Sequence, residues 1–352
     1  MNTPTEQRIS AFVQLGKTMS ALSSNEPWPG FDCGLTLEEF TDFQQLIHSS
    51  VHHNGWFTQE SIALALRSWA VALQPESLQK WASPYLQTTE QHAPKTTAII
   101  CAGNIPLVAF HDVLCTLLVG DTALIKLSSD DKRLLPAFLS LLARFYPPFA
   151  QSIHYAEGKL EGFDKVIATG SNNSSRYFSF YFKNYPHIIR KSRTSVAVLT
   201  GKESKEELHQ LGHDIFDHFG LGCRNVSKLY LPEGYSLNTF FEGIYAFHPI
   251  VNHNKYANNY DYNKAVWLLN SEELLDNGFV LLKEDPALKA PTGSLYYSFY
   301  SSELELQRDL EKHKNEIQCI VGHSYLPFGT AQAPGLSDYA DGINTLQFLL
   351  DQ

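Results

Sequence analysis

The chain carries two hydrophobic rhythms, one after the other. Up to about residue 95, apolar positions recur at helical spacing. Residues 37–47 place Leu37, Phe40, Phe43, Leu46 and Ile47 at such steps, and residues 58–73 gather Ile62, Leu64, Ala65, Leu66 and Trp69. Thr58, with Ser61 nearby, stands where an N-cap belongs. Trp28-Pro29-Gly30 and Ser83-Pro84 read as connections. From about Lys95 short apolar runs alternate with helical segments. Strands are expected at 96–101, 121–127, 153–156, 165–168, 187–190 and 195–199, and helices at 106–119, 132–145 and 172–183, with Gly120 as a stop. Strand and helix in this alternation predict a parallel sheet covered on both faces, whose ligands sit beyond the carboxyl ends of the strands. An acidic, amphipathic helix over 202–218 opens a second α/β unit that runs to about 325. Residues 326–352 are irregular and punctuated by Gly and Pro, with a short apolar end at 346–350.

Composition narrows the class. The 352 residues are 43% hydrophobic, enough for a sizeable core in two domains or in one domain with excursions. A net charge of −10 without any lysine and arginine run argues against nucleic acid as a partner. The start, Met1 to Glu6, shows no basic segment followed by an apolar one, so no signal peptide is expected. No apolar stretch approaches the roughly 20 residues of a membrane span. Five cysteines, Cys33, Cys101, Cys115, Cys223 and Cys319, are widely spaced and form no CxxC pair. That pattern favours a reducing compartment over a disulfide framework, and a soluble cytoplasmic protein is expected.

Standard phosphate-binding fingerprints are absent: there is no GxGxxG, no GxxxxGK[ST] and no GxSxG. His209 and His213 have metal-ligand spacing on one helix face, but no glutamate follows the first; a solvated polar face is expected and no metal. The stretch from His218 to Leu231 sets Cys223 between Gly222 and Arg224, after Gly220. A thiol beside a cation and a pliable backbone suits a nucleophile, while a small buried residue in a strand-entry turn is the plainer reading. Four strand ends carry further candidates. Asn104 has an amide that can donate to an oxyanion or cap a turn before Pro106. Lys126, with Ser128 and Ser129 behind it, is a cation at a strand end or an ordinary snorkelling lysine. Thr169-Gly170-Ser171 leads into a helix whose free N–H groups meet a phosphate or are capped by the serine.

The order of these segments resembles the aldehyde dehydrogenase superfamily. Ala102-Gly103-Asn104-Ile105-Pro106 is similar to its proline-x-asparagine-x-proline segment without the first proline. Lys126 stands at its lysine, Thr169-Gly170-Ser171 at its Thr-Gly-Ser, and Cys223 at its nucleophile. The closer likeness is to LuxC-type fatty acyl-CoA reductases, through Gly103-Asn104-Ile105-Pro106-Leu107, Gly222-Cys223-Arg224-Asn225-Val226-Ser227-Lys228 and Asp338-Tyr339-Ala340-Asp341-Gly342. It covers roughly residues 95–345, and residues 1–90 match only in helical character.

The resemblance implies an α/β, aldehyde dehydrogenase-like fold: a helical region over 1–94, a Rossmann-type nucleotide-binding domain over 95–200, a catalytic domain over 201–325 and a tail over 326–352. It implies an NADPH-dependent acyl-CoA reductase, with NADH tolerated, in which Cys223 takes the acyl group and Asn104 holds the oxyanion. Lys126, Ser128, Ser129, Gly170 and Ser171 would bind the cofactor. Where hydrolytic relatives carry a glutamate base, this chain has Ile188-Ile189-Arg190-Lys191-Ser192-Arg193 and no carboxylate, so an acyl-enzyme is expected to survive water. No counterpart is identified for the family's glutamate on the nicotinamide ribose. The implied partner is an acyl-CoA or acyl-carrier thioester, and a homo-oligomer is left open. The alternatives are a cysteine-dependent acyltransferase or thioesterase using His111 or His218, and a catalytically degenerate partner subunit. Cofactor dependence separates the first from the reductase.

Overall fold

The computed structural model describes residues 3–24 and 26–351; Met1 and Asn2, part of the N-terminal reading above, and Gln352, the end of the tail, lie outside that range. The chain divides into two compact units, 1–191 with 334–352, and 192–333.

In the first unit the N-terminal helices start where the sequence supplies caps. Thr3 and Glu6 close a capping box on Pro4–Leu22, Thr36 and Glu39 another on Leu37–Ser49, and Thr58 accepts from the Ser61 N–H ahead of Gln59–Ala72. Phe12, Leu15, Met19, Ile62 and Leu66 from these helices are fully buried in one core with Leu114, Leu117, Phe138 and Leu139. The helical region therefore completes the core on one face of a sheet. That sheet holds β1 (Thr96–Ile100), β2 (Thr122–Lys126), β3 (Ile153–Tyr155), β4 (Lys165–Thr169) and β5 (His187–Arg190), in the order β3-β2-β1-β4-β5 and all parallel. The chain runs outward from β1 to β3, then crosses back to β4 beside β1. The carboxyl ends of β1 and β4 thus flank the point where strand order reverses, the usual ligand crevice of such sheets.

The helix expected from residue 106 begins at Phe110 instead. Leu107 is 1% exposed and takes φ 57°, which breaks helical continuity and leaves Pro106 to Ala109 as a turn closed by the Phe110 N–H on the Leu107 carbonyl, 3.0 Å. The apolar end of the tail is a helix, Thr345–Leu350, packed in the first unit with Leu346 and Leu349 fully buried. Lys165, 2% exposed on β4, donates to the carbonyls of Phe348, Leu349 and Asp351 at its end.

The second unit holds β6 (Thr194–Val198), β7 (Val226–Pro232), β8 (Leu275–Asp276), β9 (Leu281–Glu284), β10 (Ser294–Tyr300) and β11 (Ile317–Val321), in the order β11-β6-β7-β10-β9-β8. All neighbours are parallel except β8 and β9. The strand read at 195–199 lies in this sheet, not beside β5: its partners are β7 and β11. One face packs Leu208, Leu211, Leu229, Leu231 and Phe240; the other packs Val196, Val198, Leu306 and Leu310. The helix expected over 202–218 is shorter, Lys205–Phe216, entered through a Ser204/Glu207 capping box.

Candidate active site

The residues singled out in the sequence fall into two sets, one in each unit. In the first unit β2, β1 and β4 are neighbours, so the segments that follow them lie side by side along one edge. A Cβ built on Gly103 would stand 2.5 Å from Ser128 Oγ and 2.7 Å from its Cβ, so the loop after β1 crosses the loop after β2 in a contact only glycine permits. Asn54, 7% exposed, ties both loops: its Nδ2 donates to the carbonyls of Gly103 (3.5 Å) and Asp130 (3.4 Å), and its Oδ1 accepts the Trp56 N–H at 3.0 Å. In the sequence, Asn54 shows only an Asn-Gly step, which marks a turn and nothing more.

On this scaffold Asn104 is exposed in the loop after β1. Lys126 is exposed and directs Nζ to the Gly158 carbonyl at 3.1 Å. Ser128 is half-buried and accepts the Asp130 N–H at 3.2 Å, while Ser129 and Asp130 are exposed. Asp131 turns inward instead. It is 9% exposed, and its Oδ1 accepts the N–H groups of Leu134 and Leu135, capping helix Leu134–Phe145. Burial raises its pKa against the pull of those donors. After β4, Ser171 caps helix Asn172–Tyr181, accepting the Ser174 N–H at 3.2 Å, and no carboxylate lies in that helix's first turn. Gly170 has no space for a side chain, since a Cβ would meet Phe178 and Ser174 at 2.9 Å. An ammonium, three hydroxyls, an amide and a helix N-terminus share this edge. Apart from exposed Asp130 these groups attract anions, and they fit a phosphate-bearing nucleotide.

In the second unit Cys223 sits at the tip of a fastened turn. Helix Lys205–Phe216 gives way to three residues in the left-handed region: His218 (φ 52°), Phe219 (φ 59°) and Gly220 (φ 74°). For the two non-glycines this costs on the order of 1 kcal/mol each. Stacking offsets part of it: the Phe219 ring lies 4.2 Å from His253 at 29°. The Asn225 N–H closes the turn on the Gly222 carbonyl (3.1 Å), and Asn225 Oδ1 accepts the Gly222 N–H (2.8 Å). Ser195 Oγ on β6 donates to the Cys223 carbonyl at 3.0 Å and lies 3.1 Å from Cys319 Sγ. Arg224 spends its Nε–H on the Ala331 carbonyl at 2.5 Å, so its visible work is to hold residues 329–331 against this turn.

The five thiols separate by environment. Cys33, Cys101 and Cys115 are buried, Cys319 is half-buried and Cys223 is exposed. Burial pushes the Cys101 thiol up to about 12 and the Cys115 thiol well above its ordinary value. Of the two histidines weighed as bases, His111 is enclosed by Trp69, Trp81 and Tyr339, pairs through Nε2 with the Leu336 carbonyl, and has its pKa lowered by burial. His218 is 8% exposed, and burial takes its pKa down to about 4. His209 and His213 are half-buried: both rings pack on Phe247, at 5.2 and 4.9 Å, and His213 pairs with Asp217. Among the described residues no three His, Cys, Asp or Glu side chains are placed to hold a metal ion. Arg190, from the stretch without a carboxylate base, is 6% exposed and paired with Asp112 and Thr345.

Comparison with known proteins agrees with this architecture. Aldehyde dehydrogenase 21 from Physcomitrella patens superposes with a TM-score of 0.61 at 12% identity, covering 91% of this chain and 74% of that one. A Mycobacterium tuberculosis aldehyde dehydrogenase complexed with NAD+ gives 0.57 at 14% identity, covering 91% and 73%. An NADP-dependent enzyme of E. coli gives 0.61 at 13%, covering 89% and 73%. At these identities the likeness establishes an aldehyde dehydrogenase-like fold. A search of curated proteins returns no match. The family model described as acyl-CoA reductase (LuxC) matches residues 35–233, which include Asn54, Asn104, Lys126, Gly170 and Cys223. Because that match spans more than half of the sequence, the chain belongs to the acyl-CoA reductase (LuxC) family and is an oxidoreductase acting at the acyl and aldehyde level.

Proposed function

We propose that the protein reduces an acyl thioester, acyl-CoA or acyl-carrier, to the aldehyde with NADPH, through an acyl group carried on Cys223. One observation carries the reading: the exposed thiol is the one on the turn fastened by Asn225 and Ser195, while burial keeps Cys101 and Cys115 protonated. The Cys223 thiolate adds to the thioester carbonyl. As the tetrahedral adduct collapses, the carbon–sulfur bond to coenzyme A breaks, and the released thiolate takes a proton from solvent. The Cys223 N–H is assigned to the oxyanion; loss of one such donor typically lowers rate by about 10²–10³. A reduced nicotinamide, when bound, supplies the hydride for the acyl carbon. Cys223 then leaves as thiolate, ready for the next turnover.

The first unit is assigned to the cofactor. Lys126, Ser128 and Ser129 would hold the ribose end and its 2′-phosphate, and Gly170, Ser171 and the helix N-terminus the pyrophosphate. Charge-assisted hydrogen bonds of this kind are roughly twice as strong as neutral ones. The absence of a carboxylate over residues 188–193 supports a long-lived acyl-enzyme, since water there lacks a base.

Mixing the enzyme with an acyl-CoA and no reductant is expected to add one acyl mass to the Cys223 peptide, with little free acid formed. Cys223→Ala loses both the adduct and aldehyde production. An adduct on another cysteine, or turnover that proceeds without any nicotinamide, would refute the assignment.

A further inference from the structure

The turn that carries Cys223 begins where a helix ends. At the close of Lys205–Phe216 the chain goes left-handed at His218, so the next N–H groups leave helical register and the last carbonyls need other donors. One side chain answers them from the far side of Cys223. Asn225 Nδ2 donates to the carbonyls of Asp214 (3.2 Å), Ile215 (3.3 Å) and Asp217 (2.8 Å), while its Oδ1 holds the Gly222 N–H. Asn225 is 2% exposed. Both ends of one amide are therefore committed, one to the helix and one to the turn. The end of a helix carries roughly half a negative charge, which disfavours a nearby thiolate.

We propose that Asn225 is a positioning residue for Cys223: it fixes the turn tip against the helix and screens the thiolate from the helix's negative end. The inference rests on the reading of Cys223 as nucleophile given above. Serine or alanine at 225 leaves the three carbonyls without their amide donor. Aspartate reverses the interaction by setting an acceptor against acceptors. The titratable groups around the turn are Asp214, Asp217 and His218 from the helix and its extension, Arg224 on the turn, His253 stacked on Phe219, and Cys319 behind Ser195. The Asp214 carboxylate is committed to the segment that Arg224 holds against the turn, accepting the N–H groups of Gly329 (2.7 Å) and Ala331 (2.8 Å).

The test is the pH dependence of Cys223 alkylation by iodoacetamide, followed by peptide mass spectrometry in the full-length wild type, Asn225→Ala and Asn225→Gln. Circular dichroism and cooperative unfolding identify the folded variants. In Asn225→Ala the alkylation midpoint is expected to rise by about one pH unit. Acylation by octanoyl-CoA is expected to slow at least about tenfold, because a misplaced nucleophile loses rate steeply. Asn225→Gln keeps the donors on a longer stem; its midpoint is expected to move less, while acylation slows as the tip shifts. If Asn225→Ala does not fold, Asn225→Gln decides through the acylation rate. A midpoint and an acylation rate both within about twofold of wild type in a folded variant overturn the proposal. If wild-type Cys223 is alkylated yet never acylated by any acyl-CoA, the reading of the reaction fails, and the alkylation curves still judge Asn225 on their own.

Discussion

Burial sets the protonation of the side chains beside Cys223, and His218 shows the consequence most plainly. Burial takes its pKa from 6.5 to about 4. Its neutral form is therefore favoured by folding, and the stability it supports is present above pH 6.5 and lost as pH falls toward 4. At pH 5 the unfolded chain has bound a proton that the folded chain refuses, a cost of about 2 kcal/mol. Asp214 runs the other way: burial lifts it to about 6, so its contribution is greatest below pH 3.8 and is lost as pH rises to 6. The two oppose one another between pH 4 and 6. Replacing His218 by Gln should therefore leave a protein whose urea-unfolding free energy drops less between pH 7.5 and pH 5 than that of the wild type, by about 2 kcal/mol. Equal drops in the two proteins would show that His218 is protonated in the folded state. Cys223 was singled out as a candidate by its Gly and Arg neighbours, and the structure leaves it exposed. Asn54 and Asn225 were not read as supports, because each acts on backbone groups whose proximity only the fold creates.

At the scale of elements, the candidate residues gather at strand ends. The alternation of apolar runs identified β1, β2 and β4 and the polar residues behind each. Their adjacency came from the crossover that puts β4 beside β1. Beyond the β2 end, Asp131 turns inward and is taken up by the N–H groups of Leu134 and Leu135. Ser129 is exposed there, with Lys126 at the end of β2. A glutamate at 129 would accept from free ribose hydroxyls and repel a 2′-phosphate. Wild-type enzyme is thus expected to show a higher kcat/KM with NADPH than with NADH, and Ser129→Glu should lower that ratio by roughly tenfold or more, an energy on the order of 1.4 kcal/mol. Equal values in the wild type, or an unmoved ratio in the variant, would take Ser129 out of the cofactor site.

For the molecule as a whole, the first unit is built from both ends of the sequence. The tail returns to it through named contacts: Trp81 Nε1 donates to Tyr339 Oη at 2.9 Å, Asn344 Nδ2 to Tyr85 Oη at 2.6 Å, and Arg190 to Thr345 Oγ1 at 3.2 Å. Lys165 caps the last helix, and Leu346 and Leu349 fill the core beside helix Phe110–Val119. Burying a leucine contributes about 1.5–3 kcal/mol, and a buried lysine stripped of its carbonyl partners is costly to keep. Ending the chain at residue 333 is therefore expected to lower hydrogen-exchange protection in β1, β4 and helix Phe110–Val119 much more than in β7 and β10. Uniform loss across both units, or none, would contradict this division of the chain.

The sequence by itself determined the parts that depend on local pattern. Short apolar runs and helical spacing of three to four residues separated strands from helices, capping residues set helix starts, and the order of Asn104, Lys126, Gly170 and Cys223 along the chain pointed to the family. Tertiary structure decided what depends on distant neighbours. Leu107 leaves helical geometry because a core position claims its side chain, and β6 joins the second sheet because its hydrogen-bond partners come from residues 226–230 and 317–321. Burial then decided which thiols are masked and which histidine stays neutral, and a backbone carbonyl's need for a donor decided the work of Asn225. Local pattern fixes which faces are apolar, but partners far along the chain become neighbours only when those faces are buried together.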